Sequence, residues 1–199
     1  MQGTDEKSGK PGSPSILRRA WLRVATSVAS RRARESSLTL AQDLNFERIL
    51  AICYGNIYRS PLVAACLRKG LAGVAGCEVR SAGFHEPGGR PSPPEFVALA
   101  RERVGVELST HRSSVATPDD LAWADTILIM DRFNWHRLAS LDIDCADKVV
   151  WLGAFGSSPS CEIPDPYGQP QQAVKVIVDR LVEATAGLVG HVSAKRNAG

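Results

Sequence analysis

The chain has 199 residues, a hydrophobic content of 44% and a formal net charge of +3, which is enough apolar material for one well-packed domain. No apolar run reaches the length of a membrane-spanning helix, so an integral membrane protein is not expected. The five cysteines are odd in number and lack framework spacing, which argues against a secreted disulfide scaffold and for a reducing, cytoplasmic compartment.

Positive charge is concentrated at the N-terminus. Residues 1–45 contain eight Lys or Arg and four Asp or Glu, whereas residues 46–199 contain sixteen and seventeen. The body of the chain is therefore close to neutral, and its charge gives no support to nucleic-acid binding.

The N-terminal extension, residues 1–45, is expected to be disordered or partly helical. Residues 1–15 are rich in Gly, Ser, Pro and Lys, a composition typical of disorder. Residues 16–34 carry apolar side chains at helical spacing among six arginines, so they could form a basic helix in weak contact with an anionic membrane surface. A solvated tail and a cleaved targeting segment are the alternatives, although Arg31 and Arg32 interrupt the apolar stretch too early for a signal core.

From residue 46 onward, strand and helix patterns alternate. The predicted strands span 48–52, 78–81, 125–130 and 148–152, and the predicted helices span 60–73, 95–104, 118–123, 132–140 and 173–189. This alternation predicts an α/β fold with a four-stranded parallel sheet and helices on both faces, a single three-layer, flavodoxin-like doubly wound domain. The domain is assigned to residues 46–192, followed by a flexible tail at 193–199.

The end of the first predicted strand carries the most informative motif. Cys53 stands six residues before Arg59, so a thiol and a guanidinium lie at the two ends of a short loop between a buried strand and a helix. Such a loop can turn its backbone N–H groups inward around a tetrahedral oxyanion, which the planar fork of Arg59 also binds. The same groups stabilise a thiolate, and a thiolate at the base of a phosphate site is a nucleophile aimed at phosphorus.

The context of the motif is more specific than its spacing. None of the other four cysteines has an arginine six positions further on. Gly55 and Asn56 tolerate the left-handed backbone that an inward-facing loop needs, and Ser60 and Pro61 suit a helix start. A buried strand-end cysteine beside an incidental arginine is the alternative interpretation. The predicted phosphate-binding loop comprises Tyr54, Gly55, Asn56, Ile57, Tyr58, Arg59 and Ser60.

This loop, Cys53-Tyr-Gly-Asn-Ile-Tyr-Arg-Ser-Pro61, resembles the signature loop of the low-molecular-weight protein tyrosine phosphatases. Further segments of the family are similar in the same order: 80–83, 108–112, 125–131 and Ile163-Pro-Asp-Pro-Tyr167. The resemblance covers roughly residues 46–192. The bacterial subgroup that is paired with tyrosine kinases of capsule and exopolysaccharide export is the most similar, because the Asp-Pro-Tyr segment runs into a long terminal helix with comparable spacing.

The resemblance implies a reaction and its residues. Cys53 would attack phosphotyrosine to form a phosphocysteine, Arg59 would bind the phosphoryl oxygens, and Asp165 would act as general acid and then as general base. The substrate rim would comprise Tyr54, Phe84, His85 and Tyr167. Asn56, Ser60, Ser81 and His111 match positions whose side chains form a supporting hydrogen-bond network beneath the loop, and Asp131 is expected to influence the electrostatics near Asp165.

Several activities remain open on the same fold. An arsenate reductase would need two more cysteines close together in the middle of the chain, where Cys145 stands alone. Relatives that hydrolyse phosphoarginine tend to carry Thr at the position of Ile57, so this chain is expected to favour the phenyl ester. A catalytically silent phosphotyrosine-binding module and a phosphocysteine carrier are the alternatives from other classes. We expect no metal and no cofactor, a phosphotyrosine protein or bacterial tyrosine kinase as partner, and a monomer or weak dimer.

Overall fold

A computed structural model of the chain describes residues 16–141 and 143–198, with side chains from residue 27 onward. The predicted disorder of residues 1–15 lies outside the described residues. The strands are β1 (Arg48–Cys53), β2 (Glu78–Gly83), β3 (Thr126–Ile129) and β4 (Val149–Trp151). The helices are α1 (Ile16–Asp43), α2 (Arg59–Gly70), α3 (Pro94–Val104), α4 (Pro118–Trp123), α5 (Arg132–Ala139) and α6 (Gln171–Ala198), with 3₁₀ turns at Ala146–Lys148 and Leu152–Phe155.

The four strands form one parallel sheet in the order β2-β1-β3-β4. Five of the six residues of β1 are buried, because both of its faces are apolar and both are covered. The predicted α/β class and parallel sheet are confirmed. Since ligands of such sheets bind beyond the carboxyl ends of the strands, the position of Cys53 at the end of β1 places it where a site is expected.

Apolar side chains fill the space on both faces of the sheet. On one face, Ile49 and Ala51 join the core that α2 and α6 cover. On the other face, Leu50 and Ile52 pack with Leu121 of α4 and with α5. The strict alternation of these side chains along β1 gives the three layers.

Helix α1 is packed against the catalytic body. It contacts β4 and the 3₁₀ turn that follows it, and Ala41 and Leu44 are buried in the core beneath α6. The hydroxyl of Ser37 accepts a hydrogen bond of 3.0 Å from the backbone N–H of Trp151 in β4. The sequence predicts that the extension ends at residue 45, but Ala41 of α1 and Leu44, just after α1, lie in the shared core, so the folded unit begins further upstream.

Arg34 is the main polar contact of α1. Its Nη1 donates to the carbonyl oxygens of Ala154 and Gly156 at 2.6 and 2.7 Å, and its Nη2 donates to the carbonyls of Ser158 at 2.5 Å and Gly153 at 3.4 Å. The sequence predicts Arg34 as one of the six basic residues of a helix in contact with a membrane surface. In the structure it points into the domain instead, where it binds four backbone carbonyls of the connection after β4.

Arg34→Met is expected to destabilise the protein by about 2–3 kcal/mol, because it leaves several carbonyls without the charged donor that satisfies them. The free energy of unfolding in urea measures the effect. Arg31→Met is the matched control, since Arg31 is exposed and pairs only with Glu35 on the same helix; its cost should stay below about 0.5 kcal/mol. Equal effects of the two variants would contradict the assigned role of Arg34.

At the other terminus, α6 continues to Ala198, so residues 193–198 are helical where the sequence predicted a flexible tail. Lys195 donates to the carbonyl of Gln42, and His191 contacts the carbonyl of Ala41 at 3.2 Å, so the end of α6 is held by the end of α1. Among the helices of the described residues, none combines the length and the apolar character that a bilayer crossing needs.

Candidate active site

Cys53 is the last residue of the central strand β1, and its side chain is buried with 2% exposure. Two polar groups contact its sulfur: the backbone N–H of Asn56 donates to Sγ at 3.3 Å, and the hydroxyl of Ser60, which can also donate, lies 3.1 Å from it. Both contacts stabilise negative charge on sulfur. The arrangement therefore suits a thiolate.

Ser60 connects the sulfur to the rest of the network. Its hydroxyl accepts a hydrogen bond of 2.8 Å from the side-chain amide of Asn56 and lies 3.3 Å from the carbonyl of Ala82. The hydroxyl has one proton, and a charged sulfur is a stronger acceptor than a neutral carbonyl. Helix α2 begins at Arg59, and Tyr58 precedes it without a side-chain cap, so Ser60 serves the sulfur and not the helix end, where the sequence also allowed it.

Asn56 holds the loop in its turn. Its φ of 49° is left-handed, a conformation that Asn tolerates and that the sequence allowed for both Gly55 and Asn56. The side chain is fully buried, and its Oδ1 accepts a 2.8 Å hydrogen bond from the backbone N–H of Ser114. The backbone carbonyl of Asn56 contacts His111 Nε2 at 2.7 Å. The network therefore fixes the backbone that carries the donor to Cys53.

Two residues differ from the predicted network and rim. Ser81 makes no side-chain hydrogen bond within the described residues, and the contact from β2 to Ser60 comes from the backbone of Ala82. Phe84, predicted at the rim, is 8% exposed and packs in the core on the α4–α5 face. The N–H groups of Phe84 and His85 both donate to the carbonyl of Tyr54, just after β2 ends, and of these two residues His85 lines the cavity.

His111→Gln should reduce the loss of stability at mildly acidic pH. Burial, its largest influence, lowers the pKa of His111, while the hydrogen bond to Asn56 acts in the opposite direction. The folded protein therefore binds this proton less readily than the unfolded chain, so stability falls as pH drops below the ordinary His value of 6.5. Gln can still donate to Asn56 but does not titrate.

Urea unfolding at about pH 7.5 and about pH 5.5 tests this expectation, since stability depends on the difference in bound protons. The wild type should lose more unfolding free energy between the two values than His111→Gln does. His136→Gln, which removes an exposed histidine from α5, is the control and should retain the wild-type slope. Equal slopes for wild type and His111→Gln would contradict the assignment.

Arg59 is 1% exposed and bridges the loop to two carboxylates. Its Nη1 donates to Asp131 and, at 3.1 Å, to the carbonyl of Ile163, and its Nη2 lies 2.5 Å from Asp165. Burial disfavours the cation, but the charges of Cys53, Asp165 and Asp131 raise the pKa of Arg59 above its ordinary value. The guanidinium is therefore permanently charged at the base of the site.

Asp165 lies on the loop that follows the last 3₁₀ turn, between Pro164 and Pro166. The loop is tied to the end of β3 by the N–H of Ile163, which donates to the carbonyl of Met130 at 2.7 Å. The carboxylate also accepts a 3.0 Å hydrogen bond from the N–H of Tyr167, and its side chain is 37% exposed. Asp165 is thus held between the buried Arg59 and solvent.

A cavity of about 400 Å³ joins these groups. It is lined by Cys53, Tyr54, Gly55, Ile57, Tyr58, His85, Arg90, Asp165 and Tyr167. Cys53 and Asp165 therefore line the same space, together with aromatic side chains that can stack against a phenyl ring.

The rim contains one aromatic residue that the sequence analysis missed. The ring of Tyr54 stands edge-on between His85 and Phe133, with ring centroids 5.5 and 5.2 Å apart. Phe133 is half exposed and lies in the first turn of α5. Its position two residues after Asp131 is the only available signal, since an exposed Phe has no motif of its own. Arg90, also missed, sits in a loop rich in Gly and Pro.

The sequence of this chain also matches the model of a known protein family. The sequence model of the family described as low molecular weight phosphotyrosine protein phosphatase matches residues 48–198. The chain belongs to this family. The match begins at β1, so it contains every site residue described above and leaves out α1.

This phosphatase matches several relatives over almost the full length of each relative. A protein-arginine-phosphatase of Geobacillus stearothermophilus is 33% identical over 144 residues, 68% of this chain and 94% of that protein. Etp, a low molecular weight protein-tyrosine-phosphatase of Escherichia coli strain K12, is 32% identical over 142 residues, 71% of this chain and 92% of Etp. The crystal structure of the low molecular weight protein tyrosine phosphatase from T. tengcongensis matches with a TM-score of 0.65 at 28% identity, covering 72% of this chain and 97% of that one.

Proposed function

We propose that this phosphatase hydrolyses phosphotyrosine in proteins through a phosphocysteine intermediate. The observation that carries the proposal is the shared cavity, which Cys53 and Asp165 both line together with three tyrosines. The relatives named as tyrosine phosphatases support the same reaction.

In the first step, the thiolate of Cys53 attacks phosphorus, a sulfur–phosphorus bond forms and the bond to the phenolic oxygen breaks. Inward N–H groups of the loop and the guanidinium of Arg59 stabilise the negative oxygens of the transferring group. As the anion engages Arg59, it competes with the ion pair to Asp165. The carboxyl group is then able to hold the proton that it donates to the departing phenolate.

In the second step, Asp165 takes a proton from water as the water oxygen attacks phosphorus. The sulfur–phosphorus bond breaks, inorganic phosphate leaves and the thiolate of Cys53 is restored. Ser60 and Asn56 keep their contacts to the sulfur in both steps, which stabilises it as nucleophile and as leaving group. No oxidant, metal or cofactor enters this balance.

Phosphoarginine is the second candidate substrate, because one relative is a protein-arginine-phosphatase. The cavity wall favours phosphotyrosine, since Ile57 presents an apolar side chain where a hydroxyl would suit a polar guanidino group, and three tyrosines line the same space. The test compares kcat/KM for two matched peptides, one with phosphotyrosine and one with phosphoarginine. The proposal requires a preference for phosphotyrosine of at least about tenfold. The ratio of the two kcat/KM values should decrease in Ile57→Thr, since a small apolar group in a pocket changes discrimination between substrates by about 1–3 kcal/mol.

We further propose that the substrate is a bacterial tyrosine kinase of exopolysaccharide export, encountered in the cytoplasm. Family resemblance supports this assignment, and dephosphorylation of such a kinase by wild type but not by Cys53→Ser would test it. Contact of residues 16–34 with a membrane surface stays a prediction. The inward-facing Arg34 removes one of the six arginines on which it rested.

A further inference from the structure

Arg90 places a guanidinium at the wall of the substrate cavity, and the proposed reaction does not use it. The residue lies in the loop between β2 and α3. Its Nη2 donates to the carbonyl of Gly55 at 2.7 Å, and its Nε is buried without an acceptor. The side chain therefore reaches the phosphate loop from outside and retains donor capacity.

The orientation of one peptide group shows which side of the loop Arg90 occupies. The carbonyl of Gly55 and the N–H of Asn56 belong to the same peptide unit, and in a trans unit they point in opposite directions. The N–H points at the sulfur of Cys53, so the carbonyl that Arg90 binds points away from it. Arg90 thus lies outside the ring of donors that surrounds the transferring phosphoryl group.

Among the side chains that the structure describes, no carboxylate pairs with the charge on Arg90. Arg59 pairs with both Asp131 and Asp165, whereas no carboxylate of residues 16–141 and 143–198 forms a salt bridge with Arg90. Asp165 is the one carboxylate among the residues that line the cavity, and Arg59 holds it. The wall at Arg90 is therefore positive, and it attracts a negative group that enters beside the phosphate.

The backbone of Arg90 is rigid, so its side chain starts from a fixed point. Its N–H donates to the hydroxyl of Ser113 at 3.0 Å, and its carbonyl accepts from the N–H of Ser113 at 2.8 Å. Ser113 is itself buried. A charged group on such a backbone loses little conformational freedom when it binds an anion.

We propose that Arg90 is a specificity-determining residue that binds a carboxylate of the substrate, so that the preferred substrates are phosphotyrosine segments with an Asp or Glu next to the phosphotyrosine. This inference rests on the proposed phosphotyrosine phosphatase activity. It adds to that activity a second anionic group in the substrate, recognised by a side chain that neither attacks phosphorus nor holds the phosphoryl oxygens.

The test uses the full chain and pairs of phosphotyrosine peptides that differ only by Glu or Gln at one position, scanned along both sides of the phosphotyrosine. The measured quantity is the ratio of kcat/KM for the Glu peptide to that for the Gln peptide. At the best position the wild-type ratio should be roughly tenfold, as for one charge-assisted hydrogen bond pair. Arg90→Gln should bring the ratio to about one, and Arg90→Glu should invert it.

The ratio separates recognition from damage to the loop, because any effect of the variant through Gly55 lowers both peptides equally and cancels. Arg112→Gln is the matched control: Arg112 is exposed, binds only nearby carbonyls and does not line the cavity, so the wild-type ratio should persist. A wild-type ratio near one at every position, or a ratio that survives Arg90→Gln, would overturn the inference. Failure to hydrolyse either peptide would instead overturn the proposed function.

Discussion

Cys53→Ser is expected to lower kcat for an aryl phosphate by about 10⁴-fold or more, since nucleophile removal in comparable enzymes costs of this order or beyond. A serine hydroxyl is far less acidic than a thiol, so the two donors at Sγ stabilise an anion that the variant does not form. Steady-state hydrolysis of p-nitrophenyl phosphate measures the loss. Inorganic phosphate should still bind as a competitive ligand, because Arg59 and the loop N–H groups remain.

Cys66→Ser is the matched control for this experiment. Cys66 is a partly buried thiol on α2, and burial raises its pKa to about 11, so it is not a competing nucleophile at neutral pH. The control should keep wild-type turnover within about twofold, as surface and half-buried substitutions away from a site usually do. Turnover that persists in Cys53→Ser, or that disappears in Cys66→Ser, would remove Cys53 from its proposed role.

Asp165→Asn is expected to reduce kcat by about 10²–10³-fold, the range that a general acid contributes. The amide keeps the size of the side chain but carries no proton for the phenolate. The loss should therefore be largest for substrates with poor leaving groups, such as phenyl phosphate, and smaller for p-nitrophenyl phosphate. A series of substituted phenyl phosphates measures this dependence as a slope of log kcat against leaving-group acidity.

Asp131→Asn separates proton transfer from the electrostatics of Arg59. Asp131 pairs with the same guanidinium and also accepts the N–H of Asn134 at the start of α5, but it does not line the cavity. Its loss should lower kcat by a similar factor for every leaving group. If Asp165→Asn behaved in the same way, with no dependence on the leaving group, its assignment as the acid would be wrong.

The pattern of apolar residues and the spacing of Cys53 and Arg59 predicted the part of the site that lies in one continuous segment of the chain. The apolar run before Cys53 and the helix after Arg59 indicated a strand, a loop and a helix, and the structure contains these elements at Arg48–Cys53 and Arg59–Gly70. Asp165 was reached only through resemblance to a family, because an Asp between two prolines is otherwise an ordinary turn. Asp165 and its ion-pair partner Arg59 are 106 residues apart in the sequence.

Contacts that use the backbone as acceptor could not be predicted. Arg34 is fixed by carbonyl groups of the 153–158 connection, and Arg90 is fixed by the carbonyl of Gly55. Every residue has a carbonyl, so no sequence pattern marks these partners. Phe84 was predicted at the rim together with its neighbour His85, but its side chain joins the apolar cluster that contains Leu121. That partner lies 37 residues further along the chain, so no local pattern shows the contact.

The packing of α1 against β4 determines which shortened forms of the protein keep the edge of the sheet covered. β4 is one of the two edge strands of the sheet, and the N–H of Trp151 that it would present to a neighbouring chain is hydrogen-bonded to Ser37. A shortened protein that starts at residue 46, where the sequence predicts that the domain begins, would uncover that strand and allow two copies to pair along it. Poor solubility of such a truncated form would therefore reflect a missing cover on the sheet and not a defect in the chemistry.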